Sequence, residues 1–281
     1  MSARILRGKD VAAALLEELR AQVAELPATP RLVFVRAGDD PASASYVRSK
    51  ARLAGKAGVR HETRVLPPEI DQPGLLAEVA ELNDDPDVDG ILVQLPLYDH
   101  LDPAPVLEAV DPAKDVDGFH PVNVGRLWSG QPGLVPATPS GLIRILDHYG
   151  IEIAGAGVLI IGRSNLVGKP AAALFLRRHA TVTLAHSRTR DLADRGRRAD
   201  VIVAAAGRPG MVGPDMVKAG AVLLDVGQSP VDGKLRGDVA PEAAEVAGAM
   251  TPTPGGTGPM TVAMVVANTV AAARARRRSG G

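Results

Sequence analysis

The chain has 281 residues, with 32 Lys+Arg against 32 Asp+Glu, so its formal net charge is zero. That balance provides no global field to hold nucleic acid or an anionic membrane. The chain contains no cysteine, which excludes disulfides, thiolate metal sites and a cysteine nucleophile and suits a reducing cytosol.

A length of this kind suits one or two domains, and the elements alternate. "DVAAALLEELRAQVAEL" (10–26) places Val11, Leu15, Leu19 and Val23 at helical spacing, while Glu17, Glu18 and Arg20 break any signal-peptide apolar core. A cytoplasmic location is therefore expected. "RLVFVRAG" (31–38) reads as a strand running into a turn. A helix is predicted from Ala44 to Ala57, with cap oxygens from Asp39, Asp40 and Ser43, Pro41 in a first turn and Gly58 as its end. "VRHETRVL" (59–66) is a strand, "PGLLAEVAELN" (73–83) a helix, "DGILVQLPL" (89–97) a buried strand ending at Pro96, and "PAPVLEAV" (103–110) a short helix. Such alternation predicts a parallel α/β sheet.

A Pro/Gly/Asp-rich stretch from Asp111 to Pro139 reads as the junction between domains, placing the first domain at 1–138 and the second at 139–258. "SGLIRILDHYG" (140–150) is a helix, followed by "GVLIIG" (157–162), a helix from Lys169, "TVTLAH" (181–186), "DVIVAAAG" (200–207) and "AVLLDVG" (221–227). The loop "TPTPGGTGP" (251–259) leads into a last helix. Its apolar stretch, Met260 to Ala273, is shorter than the ~20 residues a membrane span needs and contains Asn268, so it reads as a buried or docking helix. The terminal "RARRR" (274–278) reads as a solvated tail.

Several residues invite chemistry. Tyr46 and Lys50 share a helix face in a chain with only three Tyr. A surface tyrosine covering a lysine stem is the plain alternative. The Tyr-x-x-x-Lys pair of short-chain dehydrogenases is excluded by order, since that pair follows its nucleotide loop and this one precedes the only good loop candidate. Gln94 lies in an apolar run, where an unpaired buried amide costs ~1–3 kcal/mol, so it should have a specific partner, backbone included. Asp115 and Asp117 stand in "DVDG" beside Gly118, a frequent turn composition. The six His are scattered, with no H-E-x-x-H and no G-x-S-x-G, and no metal site is expected.

"VLIIGRSNLVGKPAAALFL" (158–176) reads as strand, loop and helix, an arrangement whose backbone N–H groups suit an anion. It departs from G-x-G-x-x-G, because Ser164 stands at the second glycine and the last glycine is one residue late; a tight strand–helix turn would use the same residues. An NAD-binding unit has an acid about 20 residues after such a loop. Here that place holds His186, Ser187 and Arg188. Together with Arg163, Ser187 and Arg188 offer donors and charge to a 2′-phosphate, so NADP is expected over NAD. The glycines of "PGGTGPM" (254–260) make either a bend or a close backbone approach to a flat ligand.

In chain order, Tyr46-x-x-x-Lys50, "GILVQLPL", "KDVDGFHPVNVG", "PATPSG", "IGRSNLVGKP", "HSRT", "DVG" and "TPTPGGTGPMT" resemble the methylenetetrahydrofolate dehydrogenase/methenyltetrahydrofolate cyclohydrolase family, from about Gly38 to Thr269. The resemblance implies an α/β fold of two domains flanking a cleft: an N-terminal parallel-sheet folate domain rejoined by the last helix (259–281), and a C-terminal Rossmann-like NADP domain. It implies a cytoplasmic homodimer in one-carbon metabolism and purine biosynthesis, acting on tetrahydrofolate one-carbon derivatives, with no nucleic-acid or membrane partner. Tyr46, Lys50 and Gln94 fall on catalytic positions; Asp117, Gly255, Gly256 and Pro259 join them in the folate site. Gly162, Arg163 and Ser164 fall on the NADP loop, Ser187 and Arg188 near the 2′-phosphate and Gln228 near the nicotinamide end. The chain departs from the family at Ala137, commonly Cys, and at Gln228-Ser229, commonly Ile-Asn.

Overall fold

A computed structural model describes residues 3–38 and 40–279. The chain divides into two compact units. One holds the residues up to Ala13 with Thr138–Thr261; the other holds Ala14–Ala137 with the chain from Val262. The sequence reading keeps the first thirteen residues with the N-terminal domain. The observed pairing differs: the short strand β1 (Arg4–Ile5) joins the sheet of the other unit, through a parallel register of Arg4 with Ala249.

Helix α1 (Gly8–Ala24) follows, with Val11, Leu15, Leu19 and Val23 all buried as their spacing predicts. Next come β2 (Arg31–Arg36), α2 (Pro41–Lys56), β3 (Arg60–Val65), α3 (Gln72–Asp84), β4 (Gly90–Val93), α4 (Pro103–Ala109) and α5 (Pro121–Trp128). The three strands form one parallel sheet in the order β3-β2-β4. The central strand β2 and strand β4 are apolar and buried. The edge strand β3 is charged and largely exposed, which blunts an open edge. Helix starts recur as Asp followed by Pro. Asp40 accepts from the Ser43 N–H at 2.7 Å ahead of Pro41, and Asp102 accepts from the Ala104 N–H at 3.0 Å ahead of Pro103. Asp39, the other cap candidate, lies outside the described residues.

The stretch read as a junction is ordered. It contains α5, and Lys114 within it is buried, its Nζ donating to the carbonyls of Leu82, Asn83 and Asp85 at 2.9, 2.6 and 2.7 Å. The amine thereby closes the C-terminus of α3, whose last carbonyls have no helical partner.

The remaining elements are α6 (Ala137–His148), β5 (Gly157–Ile161), α7 (Gly168–Arg177), β6 (Thr181–Ala185), α8 (Leu192–Gly196), β7 (Val201–Ala204), β8 (Val222–Asp225), β9 (Ser229–Val231), β10 (Lys234–Arg236), β11 (Ala249–Met250) and α9 (Thr257–Ser279). Six strands make a parallel sheet ordered β1-β11-β8-β7-β5-β6, and β9 and β10 form a separate antiparallel ribbon. After β6 the chain returns to the other side of β5, so the order reverses between β5 and β7. In open α/β sheets ligands bind outside the carboxyl ends of the strands at such a reversal.

Helix α9 is buried at Met260, Val262, Val265, Val266 and Val270, and its Asn268 donates to the carbonyls of Val116 and Val135 at 2.7 and 2.9 Å. The expectation of a solvated basic tail fails. Arg277 pairs with Asp89 at 3.1 Å, and Arg276 reaches the carbonyls of Val88 and Pro86, so both arginines hold the end of α9 against the start of β4.

Candidate active site

In the three-stranded unit, α2 carries Tyr46 and Lys50 one turn apart. Tyr46 is 42% exposed, whereas Lys50 is 8% exposed. The Lys50 amine donates to Gln94 Oε1 at 3.1 Å. Gln94 is not inside the strand, as the apolar run suggested, but is the first residue after β4 and only half-buried. Its backbone N–H continues the ladder to the Val35 carbonyl (2.8 Å), and its side-chain Nε2 donates to the Leu95 carbonyl (2.6 Å), which leaves Oε1 aimed at the lysine. The amide therefore finds the specific partner its setting requires.

The two aspartates of "DVDG" part company. Asp115 is buried and accepts from the N–H groups of Gly118, Phe119 and His120 and from Asn123 Nδ2, at 2.8–3.2 Å. It is the turn residue. Gly118, at φ +75°, completes that turn where a side chain would collide with Pro136. Asp117 makes no hydrogen bond among the described residues. Burial pushes its carboxyl above the usual carboxylate range, the Lys50 cation pulls it down and Asp115 raises it further. A half-buried carboxylate without donors, within the field of Lys50, is poised for donors that a ligand brings. Tyr46, Lys50, Gln94 and Asp117 thus belong to one unit, with Lys50 electrostatically linked to both polar partners.

In the six-stranded unit, the loop Gly162–Val167 leaves β5 and enters α7. Gly162 has φ +128°, and a Cβ there would collide with the Ala205 carbonyl beyond β7, which is the sheet's reversal point. Gly168 is likewise closed to a side chain, by the Gly162 carbonyl. Ser164 Oγ accepts the Val167 N–H at 3.1 Å, an internal cap for the turn. The Gly162 N–H donates to the Ala185 carbonyl at 2.9 Å, tying this loop to the end of β6. There "HSRT" forms a turn: the Thr189 N–H donates to the His186 carbonyl and the His186 N–H to Thr189 Oγ1, both at 2.8 Å. Ser187 and Arg188 occupy its exposed tip, and Arg163 is exposed on the neighbouring loop. The Arg163 and Arg188 guanidinium groups make no ion pair among the described residues. Beyond β8, Gln228 lies against Gly258, where a Cβ would strike its carboxamide. This brings the predicted nicotinamide-end residue onto the first turn of α9, which contains Pro259 and directly follows Gly255 and Gly256.

Comparison with known proteins agrees along the whole chain. Residues 6–117 match the model of the tetrahydrofolate dehydrogenase/cyclohydrolase catalytic domain, and residues 136–277 match that of the family's NAD(P)-binding domain. The chain belongs to the tetrahydrofolate dehydrogenase/cyclohydrolase family. The Bifunctional protein FolD of Thermus thermophilus is 54% identical over 99% of this chain and 98% of its own, and that of Acidiphilium cryptum is 56% identical over 99% and 100%. The crystal structure of the bifunctional FolD methylenetetrahydrofolate dehydrogenase/cyclohydrolase from Campylobacter jejuni superposes with a TM-score of 0.96 at 42% identity, covering 98% of this chain and 100% of that one. The Trypanosoma brucei enzyme, solved with NADP and an inhibitor, gives 0.94 at 37% identity and 99% coverage of both.

The family's dinucleotide fits this chain's own loops. Glycine at 162 and 168 lets the loop fold tightly into the N-terminus of α7, and unpaired guanidinium groups stand at the ends of β5 and β6 with no acid among "HSRT". Of the two departures from the family pattern, Ala137 is 2% exposed at the start of α6 and fills a packed position. Gln228 is the one that touches a candidate site. Sequence reasoning passed over Asp225 and Asp238, the two buried acids beneath that site. Asp225 left a signal as an acid inside the apolar run "AVLLDVG", whereas Asp238, in "KLRGDVAPE", left none.

Proposed function

We propose that this chain oxidises 5,10-methylenetetrahydrofolate to the 5,10-methenyl compound with NADP, then hydrolyses that compound to 10-formyltetrahydrofolate. The observation that carries the proposal is the Lys50–Gln94 hydrogen bond of 3.1 Å beside the donor-free carboxylate of Asp117. The Tyr46 ring offers a flat face to the pterin–aminobenzoate system. Asp117 accepts the paired N–H groups of the amino-pyrimidine edge, replacing the donors it lacks. Lys50, oriented by Gln94, moves protons between water and the folate nitrogens as the methenyl cation is hydrated and opened. Gly255, Gly256 and Pro259 let backbone lie close to the folate.

NADP, when bound, supplies the hydride acceptor. Gly162 and Ser164 hold its diphosphate, Arg163, Ser187 and Arg188 hold its 2′-phosphate, and Gln228 lies at the nicotinamide end. The protein works as a cytoplasmic homodimer whose formyl product serves one-carbon transfer, purine biosynthesis included. A second reading is a dehydrogenase without useful cyclohydrolase activity; a third is a folate- or nucleotide-binding protein without turnover. Absorbance separates them. Methenyl compound should accumulate when methylene substrate and NADP are mixed, and methenyl compound added directly should decay faster than without enzyme. Accumulation without enzymatic decay selects the second reading, and neither change selects the third.

A further inference from the structure

Beneath the carboxyl edge of the six-stranded sheet lies a buried acid pair that the catalytic reading leaves unused. Asp225, the last residue of β8, is 2% exposed, and Asp238 is 0% exposed. Asp225 Oδ1 accepts the N–H groups of Gly227 and Asp238 at 3.0 and 2.9 Å; its Oδ2 accepts from Thr253 Oγ1 at 3.1 Å and the Val239 N–H at 3.3 Å. Its own N–H donates to Thr251 Oγ1 at 2.8 Å, and its carbonyl accepts from Thr257 Oγ1 at 2.9 Å. Asp238 Oδ2 accepts the N–H groups of Ala206 and Gly207 at 2.6 and 2.9 Å, while its Oδ1 is buried without a donor among the described residues.

These partners lie on the loops that follow β7, β8, β10 and β11 and at the start of α9. Ala206 and Gly207 follow Ala205, whose carbonyl closes over Gly162. Gly227 precedes Gln228, and Thr253 and Thr257 bracket the glycine loop. Gly227 and Gly237 must lack side chains because a Cβ on either would strike Asp238 or Asp225. Keeping two carboxylates out of water is costly unless donors compensate, and the donors here are almost all loop backbone. Fold stability alone is served as well by apolar packing of the same volume; what the acids add is a fixed position for three separate loops.

We infer that Asp238 is a positioning residue for the nicotinamide cofactor, acting with Asp225 to hold the loops after β7 and β8. The inference rests on the NADP reading above. The experiment compares Asp238→Ala, which strips the acceptor from Ala206 and Gly207, with Asp238→Asn, whose amide oxygen still accepts both. Calorimetry with NADP should show the Kd raised about tenfold or more in the alanine variant and mostly restored in the asparagine variant, as expected for two lost acceptor bonds. Hydrogen exchange without cofactor should speed up at Ala206 and Gly207 in the alanine variant alone. Cyclohydrolase activity on added methenyl compound, which needs no nicotinamide, should change little in either. An unchanged Kd in folded Asp238→Ala overturns the inference, as does an equal loss of both activities. Should Asp238→Ala fail to fold, Thr253→Val removes one donor to Asp225 and leaves both acids; an unaltered NADP Kd there overturns the inference too. Wild-type protein that binds no NADP at all would instead refute the cofactor reading.

Discussion

Two regions of the three-stranded unit each combine a buried lysine with a nearby aspartate, and they use them in opposite ways. At the end of α3, Lys114 is saturated by three carbonyls and Asp115 by four donors. On α2 and beyond β4, Lys50 has one side-chain partner, Gln94, and Asp117 has no hydrogen bond among the described residues. Residue types are the same, and Lys50, Lys114 and Asp115 are buried while Asp117 is half-buried; what separates the regions is hydrogen-bond completeness. A buried polar group whose partners are all protein is a structural tie, whereas one left incomplete carries a desolvation cost that only a ligand offsets. The distinction assigns the first region to the fold and the second to the reaction.

The sharpest way to break this comparison is to remove each amine. Lys50→Met keeps the apolar stem and deletes the proton carrier. Cyclohydrolase activity on methenyl compound should fall by about 10²–10⁴-fold, the usual contribution of a positioned acid–base group. Dehydrogenase activity should survive in part, because alignment of two bound partners carries much of a hydride transfer. Equal losses in folded, NADP-binding protein would make Lys50 a shared positioning residue. Lys114→Met should do the reverse. The carbonyls it leaves unpaired should lower unfolding free energy by about 1.5–3 kcal/mol, the range for hydrogen bonds to a charged group, with both activities per folded molecule kept. Denaturant melts alongside the two assays check this, and a normal melt with lost activity would move Lys114 into the site.

An effect of the same size as that of Lys114→Met, but on binding, is expected for Asp117→Ala. Loss of a charge-assisted pair to the pterin edge should weaken folate binding by roughly 1.5–3 kcal/mol and leave NADP affinity as it was. An unchanged folate Kd would return Asp117 to the turn beside Asp115.

Much of this was legible because the information is local. The buried runs "LVFV" and "ILV" mark the central strands, and Asp–Pro pairs mark helix starts. Tyr46 and Lys50 are neighbours by helical spacing alone. What was not legible depends on partners far along the chain. Strands β1 and β11 are two residues each and exist only by pairing across the fold. The tail arginines find Asp89 nearly two hundred positions away, so their local composition gives no hint of burial. Helix α5 starts at a proline in a turn-rich stretch and is capped by the side chain of His120, an unusual N-cap, which concealed it. Gln94 was placed inside β4 because the apolar pattern continues past the last ladder residue. Nothing in "KDVDG" says that its lysine and first aspartate are satisfied while its second is not; that follows only from where α3 ends and α5 begins.

The finest test of the comparison is pH. Asp117 has a raised carboxyl chiefly through burial, with the Lys50 cation opposing the rise. Pairing with folate N–H groups requires the ionised form, so folate affinity should weaken on acidification from a pH above the ordinary carboxylate range. The effect on stability has the opposite sense. The fold favours protonated Asp117, so that contribution is full below its unfolded value and is lost as pH rises through the folded one. Lys50→Met removes the opposing cation, so the acid limb of folate Kd should move to higher pH than in wild type. Asp117→Asn, which keeps an acceptor and cannot titrate, should bind more weakly and lack that limb, while retaining any titration that belongs to the folate itself. Folate Kd from pH 5 to 8 in the three proteins, read by binding and so independent of turnover, decides the matter at ~1 unit resolution, near the scatter of such shifts. A limb at the same pH in wild type and Lys50→Met would mean that the two groups do not sense each other. The second region would then be two separate incomplete sites and not one.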